Sequence, residues 1–171
     1  MSICETARLT LREFVPADAA FLLRLLNDPT FIANINDKGI RTVDAAREYL
    51  EVTLIPSYAL HGFGLWAVVR RDTGDAIGMC GLIKREWLAD VDLGYALLAE
   101  ATGLGYAREA ARATLEVATT RLGLTRLVAI VSADNTRSIR LLEDLGFAYE
   151  ISVRLPPDDT EIPLYGWNVH A

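Results

Sequence analysis

The stretch "ATGLGYAREA", residues 101–110, decides how the rest of the chain is read. Gly103 and Gly105 flank Leu104 and are followed by Tyr106, Ala107 and a run with helical spacing. Ahead of them stands "VDLGYALL", residues 91–98, an apolar run that reads as a strand. Behind them Ala107, Ala110, Ala111, Thr114, Leu115, Ala118 and Leu122 share one helical face, up to Gly123. The passage is strand, glycine turn, helix. Glycine supplies the positive φ of a tight turn, and that alone accounts for the pair. The same geometry supports a second reading. The first N–H groups of a helix have no intrahelical partner and carry partial positive charge, so a helix start stripped of side chains receives phosphate oxygens. No Gly-Lys-Ser/Thr follows, which excludes a Walker A loop. Arg108 stands where a dinucleotide loop has its third glycine or alanine, which argues against a nicotinamide cofactor. The pyrophosphate of coenzyme A meets neither objection.

The flanking segments extend the pattern. "TARLTLREF" alternates and predicts a first strand. Asp18 is placed to cap a helix carrying Phe21, Leu22, Leu25 and Leu26, which Pro29 ends. Thr42 caps a second helix. "GFGLWAVVRR" and "AIGMCGLIKR" are apolar strands joined by the turn "DTGD". "TRLVAIVSA" is a buried strand, "DNTRSIRLLEDLG" a capped helix, and "FAYEISVRL" and "IPLYGWNV" the closing strands. The expectation is one domain over residues 1–171: a mixed α/β sheet of about seven strands with about four helices.

The chain has 171 residues and a formal net charge of −6. That balance argues against a nucleic-acid partner, which needs a basic footprint, and against an electrostatic membrane binder. It suits a cationic or amine partner. Cys4 and Cys80 form no disulfide framework; Cys80, in "AIGMCGLI", reads as core. His61 and His170 belong to no ligand-spaced cluster, so no metal is expected. The N-terminus has no signal-peptide pattern and no apolar run reaches membrane-spanning length, so the expected location is the cytoplasm.

With these segments in place, "DLGYALLAEATGLGYAREAARATLEVA" resembles motif A of the GCN5-related N-acetyltransferases (GNAT), in the RimJ/RimL-like branch. "RLVAIVSADNTRSIRLLEDLGFAYE" resembles the second half of the same core, and "ARLTLREFVPADAAFLLRLLND" and "HGFGLWAV" resemble that branch too. The likeness covers nearly the whole chain, and its specificity lies in the order and spacing of these pieces. There are departures. Ala99 and Ala101-Thr102 stand where the branch has proline and a Tyr-Trp pair, and Leu142 stands where many members carry a tyrosine general acid.

The resemblance implies a GNAT-like fold with splayed central strands and acetyl transfer from acetyl-CoA to a primary amine by direct attack in a ternary complex. The amine is a protein N-terminus or a small molecule, and the enzyme a monomer or homodimer without a metal. It places the pyrophosphate on the amides of Gly103, Leu104, Gly105, Tyr106 and Ala107, and the pantetheine arm along the main chain of Tyr95, Ala96 and Leu97. Asn135 is implied as a further pantetheine contact, with Ser138 on the same helix face helping the thiolate leave. Without the resemblance, Asp134 or Asn135 is simply an N-cap. Arg108, Arg137 and Arg140 are candidates for the CoA phosphates.

For the base or amine anchor, Asp92 comes first, since strand alternation puts it on the face of Gly94 and Ala96; Glu86 and Glu150 are the substitutes. The acceptor pocket is expected from Tyr58, His61, Phe63, Trp66, Tyr165 and Trp167. The alternative is a non-catalytic acyl-CoA sensor, kept open by Leu142.

Overall fold

The structure, a computed structural model, describes residues 1–169. His170 lies outside the described residues. Eight strands form one sheet: β1 (Ser2–Glu5), β2 (Leu9–Arg12), β3 (Leu65–Arg70), β4 (Ala76–Ile83), β5 (Asp92–Leu97), β6 (Arg126–Ile130), β7 (Ala148–Leu155) and β8 (Thr160–Asn168), in the order β1-β2-β3-β4-β5-β6-β8-β7. Only β5 and β6 run parallel. Six α-helices join them: α1 (Ala19–Leu26), α2 (Pro29–Asn34), α3 (Val43–Tyr49), α4 (Ile55–His61), α5 (Tyr106–Thr120) and α6 (Thr136–Asp144). The mixed α/β class is as expected, with one more strand and more helices than read from the sequence.

Each difference has a local cause. β1 pairs with β2 through Cys4↔Leu11 and Glu5↔Thr10, a short edge hairpin with no alternation to reveal it. Pro29 does end α1, but it also starts α2 as a first-turn proline, with Asp28 accepting the Thr30 N–H at 2.9 Å. Thr42 caps α3 as expected, accepting from the Ala45 N–H at 3.1 Å. That helix then runs on through a π-helical turn, Leu50–Leu54, into α4. Pro56 offers no N–H to the regular ladder, and Ile55 donates five residues back to the Leu50 carbonyl. Asp18 heads α1 but turns backwards, holding Arg12 at 2.8 Å and the Val15 N–H at 2.9 Å instead of capping.

The sheet divides the core into two. On one side α5 and α6 cover Leu93, Leu97, Cys80 and Leu127. On the other, α1 to α4 cover Ala67, Met79, Ala96 and Leu98. Cys80 is fully buried with its Sγ against Thr114 Oγ1 at 3.3 Å, as its apolar setting predicted. Residues of β5 therefore alternate between the two helical layers.

Candidate active site

The site begins where the sheet fails to close. β4 and β5 hold register from Gly78↔Leu97 to Ile83↔Asp92. β5 and β6 share one registered pair, Asp92↔Val128, with the Val128 N–H on the Val91 carbonyl at 2.9 Å. Beyond it the strands diverge. The Leu98 N–H donates to Ile77 in β4, so alternation turns the main chain of Ala96 and Gly94 toward β4 and that of Tyr95 and Leu97 toward the gap. Of the three β5 residues expected to meet a cofactor by main chain, Tyr95 and Leu97 present a free edge. Ala96 is paired with Met79 and does not, which corrects the expectation for it.

At the far end of β5 the chain makes the glycine turn. Gly103 and Gly105 adopt φ of 78° and 83°, the left-handed region that favours glycine. Gly105 is the N-cap of α5, and the Glu109 N–H bonds its carbonyl. Among the described residues, no backbone carbonyl takes the N–H groups of residues 103 to 108. A Cβ on Gly103 would meet nothing within 4 Å. This is a concave row of free donors at a helix start with its side chains removed, the arrangement a pyrophosphate needs.

Arg8, which the sequence reading passed over, braces the turn. Its Nη1 donates to the Leu104 carbonyl at 2.9 Å, its Nε to Glu109 at 2.7 Å, and its guanidinium lies 4.5 Å from the Tyr106 ring centroid. A Cβ on Gly105 would stand 3.2 Å from Arg8 Nη2.

Between β5, β6, α6 and the α3–α4 segment opens a cavity of about 540 Å³. Asp92, Asn135 and Ser138 all line it, so the structure gathers three expected site residues from three elements. Asn135 caps α6, its Oδ1 accepting the Ser138 N–H at 3.2 Å. That bond leaves its Nδ2 as a donor toward the cavity. Ser138 is half-buried, and among the described residues its Oγ has no hydrogen-bond partner. The half-buried Tyr95 phenol donates to the Ser138 carbonyl at 3.3 Å and ties α6 across the gap; desolvation pushes its pKa up to about 12, so it stays protonated. Leu142 is buried in the core beneath.

Asp92 is 1 % exposed. Its Oδ2 accepts from Arg85 Nε at 2.7 Å, while its buried Oδ1 has no hydrogen-bond partner. Burial pushes the carboxyl up to about 6, against the opposing pull of the Arg85 charge and hydrogen bond and of the Ile130 N–H, which falls outside hydrogen-bond geometry. A buried acceptor without a donor costs free energy unless a ligand satisfies it.

Glu86 and Glu150 do not line the cavity: Glu86 is exposed, and Glu150 is held by Arg126 at 2.6 Å, which lowers its pKa. Arg108 pairs with Asp144 on α6. Arg137 and Arg140 make no ion pair among the described residues. Of the six aromatic candidates only His61 lines the cavity. Trp66 and Tyr165 are core, Trp167 packs on Phe147, Phe63 stacks on His61 from the core side, and Tyr58 bonds the Leu65 carbonyl and Phe14 N–H. Trp66 and Tyr165 are inward-facing strand residues, and Tyr58 and Phe63 sit on and just after α4, half-buried against the core.

The site thus combines a splayed parallel seam, a glycine turn of free amides and a buried carboxylate at the seam, and comparison with known proteins gives the class. A family profile described as "Acetyltransferase (GNAT) domain" matches residues 8–148. The uncharacterized N-acetyltransferase p20 of Bacillus licheniformis is 32 % identical over 153 residues, spanning 88 % of this chain and 84 % of that protein. The crystal structure of an acetyltransferase from Agrobacterium tumefaciens superposes with a TM-score of 0.81 at 25 % identity, covering 99 % of this chain and 95 % of the other. RimL, a ribosomal-protein acetyltransferase solved with coenzyme A, shares the fold at a TM-score of 0.81 and 14 % identity, covering 99 % of this chain and 98 % of its own. The chain belongs to the GNAT family and is an N-acetyltransferase, with RimJ/RimL-like proteins among its structural relatives.

Proposed function

We propose that the enzyme transfers an acetyl group from acetyl-CoA to a primary amine within a ternary complex. The observation that carries this reading is a pair of free main-chain stretches on one length of chain: Tyr95 and Leu97 at the open edge of β5, and the amides of residues 103 to 107, separated by the paired amides of Leu98, Ala99, Ala101 and Thr102. An extended pantetheine adds to the first as a strand would, and the pyrophosphate sits on the second. Asn135 Nδ2 supplies one more donor to the arm.

The acceptor enters from the Asp92 side. Its ammonium is attracted by Asp92 and gives up a proton to Oδ1, directly or through one water. The nitrogen lone pair then attacks the thioester carbonyl carbon. The oxyanion that forms faces the N–H groups of the β5 edge. On collapse the C–S bond breaks, the attacking nitrogen sheds its remaining extra proton as the neutral amide forms, and that proton is relayed through the Ser138 hydroxyl to the leaving thiolate. Leu142 offers no proton, which leaves Ser138 as the available donor.

The test is acetyl-CoA binding by calorimetry, followed by CoA release against a panel of amines. Binding with release is expected. Binding without release from any amine would instead support an acyl-CoA sensor.

A further inference from the structure

The chain is acidic overall, with a net charge of −6, yet the charged lining of the cavity is mostly cationic. Its lining holds Lys38, Lys84 and Arg85 against one carboxylate, Asp92. Lys84 is committed, donating to the carbonyls of Leu88 and Ala89 at 3.2 and 2.8 Å. Arg85 is only half committed. Its Nε holds Asp92, while among the described residues neither terminal nitrogen meets an acceptor. Lys38, an exposed lining residue, makes no ion pair or hydrogen bond among the described residues, and its neighbour Asp37 is taken by Arg41 at 2.5 Å.

Although Lys38 is exposed to solvent, partial desolvation by the protein around its ammonium, and after it the charge of Arg85, pushes it below the ordinary lysine range. Lys38 and Arg85 line the same cavity as the buried Asp92 Oδ1, which lacks a donor. The other polar lining residues, among them Asn34, Asn36, Tyr49 and His61, include no carboxylate.

We propose that the acceptor is a small amine that itself carries a carboxylate, an amino acid, held with its carboxylate between Lys38 and the terminal nitrogens of Arg85 and its amine beside Asp92 Oδ1. The proposal rests on the acetyl-transfer reading above. An amino acid supplies both missing partners at once: an acceptor for Lys38 and for the free terminal nitrogens of Arg85, and a donor for one unpaired oxygen. A polyamine supplies only the second and brings further positive charge against Lys38 and Arg85.

The experiment measures CoA release, at saturating acetyl-CoA, for the standard amino acids, their carboxamides and a linear polyamine. For the best amino acid, kcat/KM should exceed that of its carboxamide by at least about tenfold, the scale of one charge-assisted hydrogen bond. The carboxamide has more free amine at neutral pH, so this bias runs against the expected result. Lys38→Ala should shrink the ratio, and Lys38→Glu should shift preference toward the polyamine; Lys38 is exposed, so neither should disturb folding. A wild-type enzyme that prefers carboxamides or the polyamine overturns the amino-acid assignment and leaves acetyl transfer standing. So does a ratio unchanged in both Lys38 variants. Release from no amine at all, with acetyl-CoA bound, counts against both.

Discussion

β5 has two edges, and they behave differently. Toward β4 it is registered over six residue pairs, from Gly78↔Leu97 to Ile83↔Asp92. Toward β6 it is registered at one, Asp92↔Val128. Each ladder bond forgone on the second edge gives up about 0.5–1.5 kcal/mol of net stabilisation. The sheet retains that open edge because other contacts fix the seam. Tyr95 ties α6 across it, and the core behind β5 is filled by Leu93, Leu97 and Leu142. One edge holds the fold together, and the other leaves main-chain donors in place for a ligand.

The sharpest way to break this comparison is to spoil the donor row where the open edge ends. Gly105→Asp puts a carboxylate into the row of free amides and against Arg8. Aspartate tolerates positive φ better than most residues, so the local cost is on the order of 1 kcal/mol. Acetyl-CoA affinity should fall by on the order of a hundredfold or more, since the turn would lose both space and charge complementarity. Gly103→Asp, with open space for its Cβ, should do the same without touching Arg8. Unchanged calorimetric affinity in folded variants would remove the turn from the site.

Next in size is Asp92, at the one point where the two edges meet. As an amine anchor and base, it should make Asp92→Asn lose about 10²- to 10⁴-fold in kcat/KM for the amine, with acetyl-CoA affinity unchanged. Its carboxyl is raised to about 6 and works only when ionised. Wild-type kcat/KM should therefore fall as pH drops through about 6, and the variant should lack that inflection. Stability has the opposite sign. The folded state holds this proton more tightly than the unfolded state, so the Asp92 contribution declines as pH rises from the ordinary aspartate value toward 6. A variant with the wild-type pH profile would clear Asp92 of the role.

Ser138→Ala should lower kcat by at least about tenfold, with little change in acetyl-CoA affinity, water replacing part of the lost donor. A fall in affinity alone would make Ser138 a binding residue. The smallest effect separates the two jobs of Asn135. Asn135→Asp keeps the cap on α6 and loses the Nδ2 donor, so acetyl-CoA should bind a few-fold more weakly at unchanged Tm. Asn135→Ala loses both and should also cost about 0.5–2 kcal/mol of stability. Equal affinity in the wild type and the Asp variant would leave Asn135 as a cap only.

Much of this was legible in the chain because it is locally encoded. The glycine turn, the small-residue face of α5, the Asn135 cap and the place of Asp92 all follow from spacing over a few residues. β1 was not legible, because an edge hairpin depends on its partner more than on its own pattern. The path from Val43 to His61 was hidden by Pro56, which interrupts the ladder without ending the helix. Lys38, Arg85 and Arg8 were missed for another reason. In sequence they are ordinary surface cations, and only the tertiary arrangement sets two of them over a cavity and the third under the glycine turn.

The most direct test of the two-edged strand is amide hydrogen exchange resolved by residue, with and without acetyl-CoA. In the free enzyme Ala96, bonded into β4, should exchange slowly, while Tyr95, Leu97 and the amides of residues 103 to 107 exchange fast. Acetyl-CoA should slow the second group strongly and leave Ala96 nearly unchanged. Slow exchange at Tyr95 and Leu97 in the free enzyme, or protection by acetyl-CoA that bypasses them and the glycine turn, would contradict the open edge as the cofactor site.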